Sequence, residues 1–237
     1  MRSVVAFALA LSCGLGMARA QDLAGWEIGT RILHIELDED SRPGTLRPGA
    51  DPSRQLSYDG RFLGTISELD VDQQYLPVRL FAQYFFNKNF GVGISYDEVE
   101  AEARDDFASD GTLSIRGPIL YGVGRLATKN GFTPFAEVGA GFYFSDFDPN
   151  SAWAAKGTFA EKTMDTDDVI ALVLGLGCDY AVAQNCSIHL YARAVLNATV
   201  DAKAYFPNQG GKLVQNGEGE FPLDYYGFGI GVKYAFK

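Results

Sequence analysis

The chain has 237 residues, with 30 acidic against 20 basic ones for a formal net charge of −10, 27 glycines and 13% aromatic residues. Nucleic-acid phosphates demand basic surfaces, so a nucleic-acid partner is excluded. Three cysteines and two histidines show no metal-ligand spacing, and neither a metal nor another cofactor is expected.

Residues 1–20 read as a secretory signal. Arg2 supplies a short basic region, Val4 to Leu11 an apolar run, and Ala18-Arg19-Ala20 a small-x-small cleavage site. That run is too short for a membrane helix, which needs about 20 apolar residues. Cys13 raises a lipoprotein alternative, but Leu11 stands where a small residue is wanted. Residues 21–237 then form one domain, and their alternation predicts eight strands.

The first, Trp26 to Leu37, sets Trp26, Ile28, Thr30 and Ile32 against Glu27, Gly29 and Arg31. A polar break over about 38–73 follows. The second, Gln74 to Phe86, turns Leu76, Val78, Leu80, Ala82, Tyr84 and Phe86 outward and Arg79 and Gln83 inward. After the turn Asn87-Lys88-Asn89, the third has Phe90, Val92, Ile94 and Tyr96 outward against Gly91, Gly93, Ser95 and Asp97, and an acidic break spans about 98–112. The fourth, Leu113 to Ala127, is assigned Ile119, Tyr121 and Val123 outward and Gly122 and Gly124 inward, with Leu120 in the lumen. The fifth sets Ala136, Val138, Ala140, Phe142 and Phe144 against Glu137, Gly139, Gly141 and Tyr143, before a break over about 145–167.

The sixth, Val169 to Val182, shows Ile170, Leu172, Leu174 and Leu176 outward and Gly175, Gly177 and Asp179 inward. The seventh offers Ile188, Leu190, Ala192, Ala194 and Leu196 against His189, Tyr191, Arg193 and Asn197, before a break over about 202–222. The eighth has a uniform apolar face, Tyr226, Phe228, Ile230, Val232, Tyr234 and Phe236, opposite Gly227, Gly229, Gly231 and Lys233. A tight turn at Ala183-Gln184-Asn185 would set Cys186 opposite Val182, a poor geometry for a bridge to Cys178. An oxidising compartment would still permit that bridge.

Large apolar faces outward, small or charged faces inward, and short turns alternating with long loops predict an all-β fold, an eight-stranded antiparallel up-and-down transmembrane β-barrel in the bacterial outer membrane. A soluble sandwich needs no such sorting of loops, and a lipocalin-like barrel would put the apolar face inside.

Tyr75-Leu76-Pro77-Val78-Arg79-Leu80-Phe81-Ala82-Gln83-Tyr84-Phe85-Phe86 resembles the Leu-Pro…Gln-Tyr-x-Phe segment of the OmpW family of small outer-membrane barrels. Pro134 to Gly141, Gly175 to Tyr180 and Gly229 to Phe236 are similar to that family's fifth-strand, Gly-Val-Asp-Tyr and closing-strand patterns. The aspartate-tyrosine turn and the closing strand are shared with the wider OmpA-like superfamily. The resemblance implies passage of small hydrophobic molecules, with outer-membrane lipid and the barrel-assembly machinery as partners. Gly231, Tyr234 and Phe236 resemble the terminal assembly signal, from which Lys237 after Phe236 is a departure.

Strand direction assigns depth. Phe81, Leu120, Tyr143, Val169, Val173 and Val195 form an expected apolar funnel. Glu27, Arg31, Arg79, Gln83, Glu137, Asp179, His189, Arg193 and Lys233 form an expected polar floor, whose charges must pair. Two functions follow: a narrow conduit or binder for small hydrophobic molecules, or a non-conducting structural or surface-interaction barrel. Catalysis is not expected. Ser187, His189 and Asp179 could be imagined as a hydrolytic set, but they sit near the short-turn end, away from lipid acyl groups. The acidic runs Asp38-Glu39-Asp40, Glu98 to Asp106 and Asp165 to Asp168 read as solvated loop faces, with divalent cations bridging lipid phosphates as the alternative.

Overall fold

The computed structural model describes residues 25–38, 66, 68–71, 78–104, 108–126, 131–154, 162–208 and 210–236. The signal reading over 1–20, most of the 38–73 loop, and Pro77 lie outside the described residues. The strands are β1 (Gly25–Leu37), β2 (Glu68–Val71), β3 (Arg79–Phe85), β4 (Phe90–Arg104), β5 (Ser109–Arg125), β6 (Phe132–Pro149), β7 (Thr163–Thr166), β8 (Val169–Ala181), β9 (Cys186–Leu196), β10 (Thr199–Pro207), β11 (Leu213–Pro222) and β12 (Tyr225–Ala235). One helical turn, α1 (Ser151–Ala154), follows β6.

Eight of these strands, β1, β3, β4, β5, β6, β8, β9 and β12, pair antiparallel with their neighbours in the chain order, and β12 returns to β1 to close the barrel. Paired residues can be followed once around the wall, from Glu27 through Gln83, Gly93, Tyr121, Gly139, Val173, Val195 and Tyr225. The circuit returns to β1 at Leu37, ten residues beyond its start at Glu27. This stagger tilts the strands and sets the bore of a small barrel whose interior side chains can fill.

The outer wall is apolar. Leu80, Val92, Ile94, Val138, Ile170, Leu176, Leu190, Phe228 and Ile230 all project from it. In water such a surface would drive aggregation; in a bilayer it is the solvated face. Aromatic pairs mark the short-turn rim, Trp26 with Tyr84 at 5.2 Å and Tyr234 with Phe236 at 5.0 Å between ring centroids.

The expected faces of β5 are reversed. Ile119, Tyr121 and Val123 point into the lumen, and Leu120 is half exposed on the outer wall beside Gly122 and Gly124. Register compels this. Leu120 pairs with Ile94 and Ala140, both outward, while Tyr121 pairs with Gly93 and Gly139. A Cβ on Gly93 would lie 2.5 Å from the Tyr121 ring, so the lumen glycine makes room for an aromatic ring. Leu120 therefore has no place in a funnel.

The expected breaks at 98–112 and 202–222 are largely strand, and the one at 145–167 contains the end of β6 and all of β7. β4, β5 and β6 run on past the membrane wall, and β2 pairs with the β4 extension. β11, β10 and β7 form a separate three-stranded sheet. Its inner face, Met164, Val200, Ala202, Ala204 and Phe221, packs into the same apolar cluster as Leu33, Ile35, Val99, Ile115, Val173 and Val195. It is a lid over the long-loop end. Cys178 is a free thiol opposite Leu190, so it is not bridged to Cys186.

Candidate functional site: the lumen and its floor

The lumen is divided by depth. Five cationic side chains, Arg31, Arg79, Arg125, Arg193 and Lys233, and four carboxylates, Glu27, Asp97, Glu137 and Asp179, project inward, and none is more than 4% exposed. Charges buried this deeply must be compensated within the barrel. They are grouped in three tiers.

The lowest tier lies nearest the short turns. The Arg125 guanidinium pairs with Glu27 and lies 3.5 Å above the centre of the Phe85 ring. Lys233 bridges Glu27 at 2.7 Å and also pairs with Asp179. Asp179 in turn meets His189 Nδ1 at 2.7 Å. The His189 ring is stacked on Phe135 at 4.9 Å and tilted against Phe81 at 5.0 Å. Among the described residues neither Ser187 Oγ nor His189 Nε2 has a hydrogen-bond partner, and the two are not hydrogen-bonded to each other.

In the middle tier, Gln83 Nε2 donates to Glu137 Oε1 at 3.0 Å and to the Tyr121 hydroxyl at 3.1 Å. Arg31 stands 3.6 Å from Glu137, with its guanidinium over the rings of Tyr191 at 4.2 Å and Phe81 at 5.0 Å. These ring faces supply cation–π attraction where hydrogen-bond acceptors are scarce.

The upper tier centres on Asp97. Its carboxylate accepts from Arg79 Nε, from Arg193 Nη1 at 2.7 Å, from the Tyr143 hydroxyl at 3.3 Å and from the Tyr225 hydroxyl. Arg79 Nη2 donates to the Glu98 carbonyl at 2.6 Å, and Arg193 Nε donates to the Tyr191 hydroxyl at 3.0 Å. Four strands are thus tied across the bore through one carboxylate, and a fifth, β6, joins through Tyr143.

All nine residues expected in the floor lie in this network or beside it. Asp97, Arg125, Tyr121 and Tyr225 were not among them. Of the expected funnel, Val173 and Val195 lie above Asp97 in the apolar cluster, with Val169 half-buried at its edge. Tyr143 belongs to the floor through its hydroxyl, and Phe81 belongs there through Arg31 and His189. Among the described residues no group of three or more His, Cys, Asp or Glu side chains converges as a metal site.

The β5–β6 ladder is interrupted beside Gly117, the residue that pairs with Asp97 on β4. Between β5 and β6 the pairing passes from Arg116–Phe144 to Ile119–Gly141, and Gly117 and Pro118 drop out opposite Tyr143 and Phe142. Proline has no N–H for the ladder. On its other side Pro118 still faces Tyr96 of β4.

The family model for the outer membrane protein beta-barrel domain matches residues 5–236. No curated protein matches the sequence significantly. Among solved structures, the chain is similar to the outer membrane protein OprG from Pseudomonas aeruginosa, with 17% identity and a TM-score of 0.67 over 92% of this chain and 99% of that one. It is also similar to the outer membrane protein AlkL in DMPC bilayers, with 14% identity and a TM-score of 0.57 over 94% of each chain. At these identities the likeness is one of fold. It agrees with the outer-membrane β-barrel that the strand alternation predicts.

Proposed function

From a chain that belongs to the outer membrane protein beta-barrel domain family and resides in the bacterial outer membrane, we propose a binder and narrow conduit for small hydrophobic molecules. The observation that carries this reading is vertical. Leu33, Ile35, Ile115, Ala171, Val173 and Val195 belong to one packed apolar cluster, and Val195 stands two residues beyond Arg193 of the Asp97 tier on β9. The interruption of the β5–β6 ladder at Gly117–Pro118 lies in the wall near that depth. A small apolar molecule that displaces these side chains meets surfaces of its own kind. It then stops at the charged floor and leaves sideways into the bilayer. The reading assigns no catalysis, no metal and no other cofactor.

The test is transfer of a labelled alkane or terpene into vesicles containing the protein, alongside conductance in planar bilayers. The expected result is protein-dependent transfer without a steady ionic current. An equal transfer rate in protein-free vesicles ends the reading. Replacing Pro118 with valine restores an N–H and should extend the β5–β6 ladder. Transfer to the bilayer should then slow several-fold, while equilibrium binding of the same probe is unchanged.

A second reading, a non-conducting structural barrel, is favoured by packing. Val173, Val195, Tyr143 and Tyr225 are each at most 1% exposed. Under that reading the vesicle experiment shows no transfer.

Assembly through the closing strand belongs to the same proposal, with the barrel-assembly machinery as the partner. Gly231 lies against Thr30 of β1, and a Cβ there would run into the Thr30 carbonyl oxygen, with Arg31 Cα 3.0 Å away. Phe236 projects from the outer rim and packs only on Tyr234 among the described aromatic pairs. Phe236→Ala should therefore lower outer-membrane levels through failed assembly, with little change in the stability of the protein refolded in detergent. Wild-type surface levels would show that the terminal aromatic is dispensable.

A further inference from the structure

Two groups of wall strands leave the membrane differently. β4, β5 and β6 continue outward as single strands of 15, 17 and 18 residues. β8, β9 and β12 each join a strand of the lid through a two-residue crossing: 167–168 between β7 and β8, 197–198 between β9 and β10, and 223–224 between β11 and β12. β11, β10 and β7 lie in the same order as the wall strands they join, β12, β9 and β8. The lid is therefore a continuation of that part of the wall, cut along one line of breaks.

Side chains pin this line. The Asp224 carboxylate accepts from the main-chain N–H of Asn197 at 2.9 Å and of Ala198 at 2.6 Å. The Leu223 N–H donates to the Ala198 carbonyl at 3.1 Å, so these two crossings are stapled together. At the third, Ser145 of β6 donates from Oγ to the Asp167 carbonyl at 2.9 Å and from its N–H to Asp168 Oδ1 at 3.3 Å. Asn197 has a φ of 61°, in the left-handed region that asparagine tolerates better than most side chains. Hinges are such places, a few residues at the ends of elements that absorb a change of φ and ψ while the elements stay whole.

The far end of the lid is held by a different contact. Lys162, the residue before β7, sets its ammonium 5.3 Å from the centre of the Trp153 ring and 4.6 Å from that of Phe206. Phe206 belongs to β10 in the lid. Trp153 belongs to α1 and packs edge-on against Phe147 of β6 at 5.6 Å. Just before α1, the Asn150 N–H donates to the Asp110 carbonyl of β5 at 2.9 Å. One ammonium thus links a lid ring to a ring anchored on the uncut strands, through cation–π attraction.

We propose that β7, β10 and β11 swing as one sheet about the line 167–168, 197–198 and 223–224, that Lys162 latches the sheet shut, and that its opening admits molecules from outside to the level of Val173 and Val195. Met164, Val200, Ala202, Ala204 and Phe221 of the lid pack in one cluster with Val173 and Val195, so a molecule entering from above must lift this face. The hinge stands on the main chain and its pins; its use as an entrance rests on the conduit reading.

The experiment uses the whole protein in lipid nanodiscs, with one reporter thiol in a Cys178→Ser, Cys186→Ser background. Val195→Cys places the thiol beneath the lid, and Ser187→Cys places it at the short-turn end of the same strand. Asp224→Ala frees the hinge and Lys162→Gln opens the latch. Each should speed modification at position 195 by a water-soluble maleimide several-fold, while position 187 and the folded gel mobility stay as in the parent. Lys162→Arg should keep the parent rate, since a guanidinium also sits over ring faces. Unchanged rates at position 195 in both loosened variants, or an equal acceleration at position 187, would overturn the hinge. Labelled-alkane transfer by the same two variants tests the entrance: faster transfer supports it, and parent-rate transfer despite an exposed thiol overturns it. A parent that transfers nothing ends the conduit reading alone, because the thiol rates are read without ligand.

Discussion

Asp97→Ala is expected to destabilise the barrel by about 3–5 kcal/mol, as removal of one partner from a buried ion pair does. The cause is what it leaves behind. Arg79 and Arg193 both lose their carboxylate, and both are at most 3% exposed. Tyr143 and Tyr225 lose an acceptor at the same time. Urea unfolding in lipid vesicles, read by the gel shift between folded and unfolded protein, gives the number. Asp97→Asn should fall nearer to Asp97→Ala than to the parent, because charge rather than shape is lost. Tyr225→Phe removes only one hydrogen bond to a charged group and should cost about 1.5–3 kcal/mol. Adding Arg193→Met to Asp97→Ala should recover part of the loss, since it removes one of the stranded cations. An Asp97→Ala barrel as stable as the parent would mean that the upper tier does not hold the strands together.

The barrel was legible because alternation inside a membrane has one sign. Lipid makes the outer face apolar, and the crowded lumen takes glycine and charge, as β1, β3, β6, β8, β9 and β12 all show. Beyond the membrane the sign inverts. On β4, Glu98, Glu100 and Glu102 face outward while Val99, Ala101 and Ala103 are buried. On β10, Asp201 and Lys203 face outward while Val200, Ala202 and Ala204 are buried. The period of two is present in both stretches, but their polar residues read as loops when a strand is sought by its apolar outer face.

Asp97 sits at the junction of the two regimes. Its inward position followed from Gly91, Gly93 and Ser95, yet its role depends on Arg193 and Tyr225, 96 and 128 residues away. Spacing along the chain carries no trace of that convergence. The reversal of β5 has another physical origin. Its lumen face is the larger one, because Tyr121 fills the space left by Gly93 and Gly139. Its lipid face is thinned by Gly122 and Gly124. Size alone then points the wrong way, and only the register of the neighbouring strands decides.

Val173→Asp is expected to abolish apolar binding while leaving the floor intact. Val173 is 1% exposed, pairs across with Val195 and Gly139, and shares its cluster with Leu33, Ile115 and Ala171. A carboxylate introduced there lies above the tier where Arg193 already serves Asp97, and it meets apolar neighbours. Placing an unpaired polar group in such surroundings costs a few kcal/mol. If the ligand must share that space, affinity should fall by about two orders of magnitude or more, at roughly 1.4 kcal/mol for each factor of ten. Part of the cost falls on the fold, so stability is measured on the same sample, and Val173→Ala serves as the control for lost volume. Alanine should weaken binding only slightly. Arg193→Ala provides the opposite contrast. It opens the floor beside Asp97, so unfolding should come at lower urea and ion leak should rise. Apolar binding should hold, because the guanidinium lies below the compartment. A folded Val173→Asp barrel that transfers labelled alkane at the parent's rate would place the route elsewhere than the Val173–Val195 level.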